Sequence, residues 1–165
     1  AKMIKTDHIR TRTNSPDGII RFVVDKPSML DIVGKFSDEI EVGGVPWIVN
    51  AYKDEFRDLD FFTVALVCMT NQATQWSIDV QSEFILVHPD RNAHLREEVK
   101  ETSIHKDTSI DAYNITRGML EWRKFVDNKK GFIKDDSITV EVRFWIVQMK
   151  GIKDLPRVDF TDPNE

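Results

Sequence analysis

The chain has 165 residues, 41% hydrophobic and 31% charged, which is one domain's worth of an ordinary globular protein and not a disordered one. Its net charge is −5, and between Asp25 and Asp60 acidic residues outnumber basic ones nine to four, so the clustered cation excess needed to neutralise phosphates is missing and nucleic acid is excluded as a partner. No apolar run is long enough to span a bilayer, which excludes a membrane partner too. The lone cysteine, Cys68, points to a reducing compartment, cytoplasmic or nuclear.

In chain order, residues 1–18 read as a polar N-terminal arm with no leader-like apolar core and no heptads, so a monomer is expected. "IIRFVVD" (19–25) is the first strand. In "EIEVGGVPWIV" (39–49), Gly43-Gly44 could cradle a phosphate or make a turn. A phosphate loop feeds a helix N-terminus, whereas Pro46 and the strand "WIVNAYK" (47–53) follow here. The pair is therefore a hairpin, with Val42 ending one strand and Trp47 opening the next. "DFFTVALVCM" (60–69) is apolar on both faces, which fits a central strand covered twice or one with a ligand face; Cys68 within it reads as a buried inert thiol.

"WSIDVQSEFIL" (76–86) alternates, with Trp76, Ile78, Val80, Phe84 and Leu86 inward and Ser77, Asp79, Gln81 and Glu83 outward. "HPDRNAH" (88–94) offers His88, Asp90 and His94, a spacing that matches no established metal site, so no metal is assigned and a flexible loop is expected. "GMLEWRKFVDNKKG" (118–131) is the one helical signature, with Met119, Trp122, Phe125 and Val126 at helical spacing and Gly131 as its stop. Asp135-Asp136 is a turn rather than an acid/base pair, since adjacent carboxylates diverge in extended chain.

"SITVEVRFWIVQM" (137–149) turns Ile138, Val140, Val142, Phe144 and Ile146 inward and Thr139, Glu141 and Arg143 outward. Trp145, Val147 and Met149 then continue the polar face, so either the N-terminal arm lies over them or they form a binding patch. Residues 151–165 are a Pro-punctuated tail or linker. Many short strands with one brief helix give an all-β, antiparallel β-sandwich. No nucleophile elbow, zinc-protease, nucleotide-binding or paired-cysteine motif occurs, so the residues point away from catalysis and assign no catalytic residue and no cofactor.

Three blocks in order carry a resemblance: "FSDEIEVGGVPWIVNAY" (36–52), "FFTVALVC" (61–68) and "EWRKFVDNKKGFIKDDSITVEVRF" (121–144). Over residues 19–150 the chain resembles the MATH domain (meprin and TRAF homology, or TRAF-C, domain), in the divergent style of the nematode MATH/BTB family. The resemblance implies an eight-stranded antiparallel sandwich without catalytic activity that binds short extended segments of other proteins. Matched block by block, its peptide-binding positions fall at Phe61, Ser82, Tyr113, Leu120 and Trp122, where Ser82 and Leu120 stand in place of the family's aromatics. Phe61 and Trp122 fit a groove or the core equally. The tail "LPRVDFTDPNE" resembles the linker to a BTB domain, which implies an adaptor that presents substrates to a cullin-type ubiquitin ligase. From the residues alone, a carbohydrate- or small-ligand-binding sandwich using Trp145 as a stacking platform remains the alternative.

Overall fold

A computed structural model describes residues 15–106 and 111–152. The expected N-terminal arm, up to residue 14, and the tail after Ile152 lie outside the described residues. The strands are β1 (Gly18–Asp25), β2 (Lys35–Phe36), β3 (Ile40–Val42), β4 (Val45–Phe56), β5 (Leu59–Cys68), β6 (Trp76–Val87), β7 (Leu95–Lys106), β8 (Asp111–Ala112), β9 (Asn114–Glu121) and β10 (Ser137–Lys150), with one short helix, α1 (Trp122–Phe125). Among the described residues they form two antiparallel sheets, β1-β10-β6-β7-β8 and β2-β4-β5-β9, with β3 also paired to β4. The all-β sandwich is as expected. The strand count exceeds the eight implied by the resemblance, because β2 and β8 are two-residue ladders.

Alternation builds the core. Trp47, Val49 and Ala51 of β4 and Phe62, Val64 and Leu66 of β5 meet Ile78, Val80, Phe84 and Leu86 of β6 and Ile138, Val140, Val142 and Phe144 of β10, all buried. Across the two layers the Trp47 and Phe144 rings lie 4.9 Å apart. Two-residue turns with both central residues at positive φ close two hairpins, Gly43-Gly44 (φ 65° and 80°) and Arg57-Asp58 (52° and 66°). Asp135-Asp136 (53° and 56°) makes the same kind of turn inside the isolated Lys134–Ser137 bridge that leads into β10. That backbone twist matches the twist of the flanking strands. Glycine takes it without strain, and Asp is among the side chains that tolerate it best.

The structure revises four readings. Residues 118–121 belong to β9, and the helix is confined to Trp122–Phe125. The cause is a β-bulge: Phe62 pairs with Leu120 but Thr63 with Gly118, so Met119 is an extra residue. Two successive apolar residues at a bulge, followed by Trp122 and Phe125, imitate a helical period. A second bulge lies between Ile146 and Gln148 of β10, so Met149 stands opposite the inward Ile78 and packs on the core. Trp145 faces Gln81 across the ladder, and both are buried, at 7% and 0% exposure. Gln81 lies on the outward face as expected but not in solvent, and the indole offers no stacking platform. Lastly, β7 and most of β9 fill a stretch for which the sequence reading assigned no strand.

Among the described residues no helix is long and apolar enough to cross a membrane.

Candidate functional site

The register of β4, β5 and β9 lays the outer face of the second sheet out in rows. Asp54, Phe61 and Glu121 share one row; Tyr52, Thr63 and Gly118 the next; Asn50, Ala65 and Thr116 the third. Facing residues in adjacent strands have Cβ atoms about 5 Å apart, so each row is a run of neighbours. Because Phe62 points into the core, Phe61 must point out. Its ring leans over Gly118, where a Cβ would meet ring carbons at 3.7 Å. With no side chain at Gly118, a concavity of about 310 Å3 opens between Asp54 and Phe56 of β4, Phe61 and Thr63 of β5, and Thr116 and Gly118 of β9.

The electrostatics of this face are acidic. Asp54 accepts the Glu55 amide through Oδ1 at 2.9 Å and meets no cation among the described residues. Burial, and then the Asp54 charge, hold the Tyr52 phenol above its ordinary range, so it stays neutral. Nearby cations have other partners. Lys53 Nζ sits 4.8 Å over the Trp122 ring and 3.7 Å from Asp60, and Arg57 lies 5.0 Å over the Phe56 ring. Arg123, almost wholly exposed, is 3.7 Å from Glu121.

Of the five residues named by resemblance, Phe61 lines this concavity. Leu120 and Trp122 flank Glu121 on the inward side, half-buried against the core, with the Trp122 and Phe125 rings 5.2 Å apart. Tyr113 sits at the opposite end of β9, stacked on Trp76 at 5.9 Å, while its carbonyl accepts the Cys68 amide. Tyr113 and Leu120 are seven positions apart, about 23 Å of strand, so they mark two ends of one edge and not one pocket. Ser82 lies in β6 of the other sheet at 0% exposure, because every even position of that strand from 76 to 86 points inward. Sequence reasoning missed Asp54, Phe56, Thr63, Thr116 and Gly118. The available signal was the double-faced apolarity of residues 60–69, which left room for a ligand face.

The other candidates resolve into structure. His88 Nδ1 accepts the Asp90 amide and His94 Nδ1 accepts the His88 amide, both at 2.9 Å, while His88 Nε2 donates to the Lys130 carbonyl. Asp90 caps the single turn Arg91–Ala93 through the Asn92 amide. These histidines pin the loop instead of facing a common point, so the flexible-loop reading gives way to a hydrogen-bonded one. Burial pushes the Cys68 thiol up to about 11.

The family model described as the MATH domain matches residues 27–146. "BTB and MATH domain-containing protein 38" of Caenorhabditis elegans is 22% identical over 150 residues, spanning 87% of this chain and 37% of that protein. The chain thus covers little more than a third of that relative's length. Among solved structures, the Salmonella enterica trimeric lipoprotein SadB aligns over 87% of this chain and 65% of its own, with 9% identity and a TM-score of 0.40.

Proposed function

The chain belongs to the MATH domain family, whose members are protein-interaction modules, and we propose that it binds short extended segments of partner proteins along β9. The bound segment adds main-chain hydrogen bonds at the last strand of the second sheet and sends side chains over Gly118 onto Phe61. Leu120 and Trp122 contact it at one end of the strand and Tyr113 at the other, a span that roughly seven extended residues cover. The observation that carries this reading is the apolar-floored concavity beside an edge strand, kept open by Gly118. Such a surface holds each segment weakly, with a dissociation constant on the order of micromolar.

The likeness to a BTB and MATH domain-containing protein extends the proposal to the whole molecule, in which this domain selects substrates and a BTB domain outside the segment engages a cullin-type ubiquitin ligase.

Peptide display against the purified chain, followed by titration of the recovered peptides, tests the reading. Phe61→Ala and Gly118→Val are each expected to weaken binding at least about tenfold, with the fold intact by circular dichroism. Binders indifferent to both substitutions overturn it.

A further inference from the structure

We infer that the concavity selects a segment carrying a lysine or arginine, whose stem lies on Phe61 and whose charge ends at Asp54. This inference rests on the peptide-binding reading above and specifies the chemistry of its ligand.

Three observations converge. The first is direction. The lining residues come from β9, β5 and β4 in turn, so the trough runs across the strands, from Gly118 over Phe61 to Asp54. From β9 to β4 is two strand spacings, about 10 Å, which only long side chains entering from the edge can cover. The second is the order of polarity along that path: a glycine gap, an aromatic floor, then a carboxylate. An alkyl stem tipped with a cation meets the same order, burying methylenes on the ring while its charge reaches the acid. The third is the unmet charge. Asp54 is half-buried and faces no cation among the described residues, whereas Asp60 and Glu121 already have Lys53 and Arg123 nearby. Glu121 shares the row on the far side of Phe61 but does not line the concavity, which leaves Asp54 as its carboxylate. The Arg57 guanidinium over Phe56 shows that an aromatic ring at this end of the sheet accepts such a group. A neutral or acidic side chain in the trough would leave Asp54 partly desolvated with nothing gained.

The test is a double-mutant cycle on displayed peptides. Binders selected on the unmodified chain are expected to share one Lys or Arg position. Replacing that residue by norleucine should weaken binding about tenfold to the unmodified chain and less than about twofold to Asp54→Asn. Asn keeps the acceptor for the Glu55 amide, so the fold is preserved. Asp54→Lys should invert the preference towards acidic side chains. A selection that yields no binder sinks the peptide reading and this inference together. Binders that depend on Gly118 but show no basic position, or no coupling to Asp54, overturn this inference alone.

Discussion

Phe61 and Phe62 are adjacent in sequence and opposite in consequence, which makes them a sharp test of the register. Phe62 is 0% exposed and stacks on Phe125 with ring centroids 4.2 Å apart, joining β5 to α1. Truncating a fully buried phenylalanine to alanine costs about 3–5 kcal/mol through lost burial and the cavity left behind. For a domain of this size each kcal/mol lowers Tm by about 2–4 °C, so Phe62→Ala should melt roughly 10 °C lower. Phe61 meets Gly118 and the concavity instead of the core, so Phe61→Ala should cost less than about 1.5 kcal/mol and change Tm by no more than a few degrees. Thermal and urea unfolding followed by circular dichroism read both variants. Phe62→Leu, expected to cost about 1–2 kcal/mol, replaces the alanine variant if that does not fold. Equal losses at the two positions, or a larger loss at Phe61, would refute the assignment of faces and the site built on it.

Other outcomes follow from single features. Burial pushes the Glu141 carboxyl up, but hydrogen bonds and charges from Arg143 and Arg21 outweigh it and hold the pKa below its usual 4.5. The resulting stability is complete above that value and lost as pH falls through the lower folded one, so the unmodified chain should lose more stability than Glu141→Gln between about pH 5 and pH 3, by urea unfolding at each pH. A Cβ at Gly43 would come within 2.8 Å of Ile146 Cδ1, whereas at Gly44 it meets nothing within 4 Å. Both sit at positive φ, so each alanine costs about 1 kcal/mol, and Gly43→Ala should exceed Gly44→Ala by about another, measured by thermal unfolding. Cys68, buried and held protonated, should react with a disulfide reagent at pH 8 at least ~10-fold more slowly in the folded chain than in urea.

How much of this was legible in the sequence depended on whether alternation survived. β1, β4, β5, β6 and β10 keep an unbroken apolar period over most of their lengths and were readable as strands. β7 was not. Its Leu95, Glu97 and Val99 are only half-buried, the positions between them are charged, and a bulge between Val99 and Thr102 resets the period before the buried Ile104. β9 was obscured by the Met119 bulge, which produced a false helical spacing at its end. The candidate site was legible only at Phe61. Asp54 and Gly118 are 64 residues apart and become neighbours of the same ring through strand register, which no local pattern encodes.

The bulges that defeated the sequence reading also shape the surface. In β10 the extra residue turns Met149 beneath the Gly43 hairpin, with its sulfur 3.3 Å from the position of a Gly43 Cβ, so an apolar side chain joins the core instead of the outer face. In β9 the extra residue lies beside Gly118, so the strand is irregular where the concavity opens. Arg117, paired with Glu97 at 3.0 Å, ties that same strand back to β7 of the other sheet. The edge is therefore anchored by the sandwich, while Asp54, Phe56, Phe61 and Gly118 stand outside the core cluster that holds the two layers together. Exchanging those outward residues costs little core packing, whereas truncating Phe62 or Trp47 costs on the order of 3–5 kcal/mol of it. The outward Asp54–Phe61–Glu121 row can therefore change while the buried core of both sheets is kept.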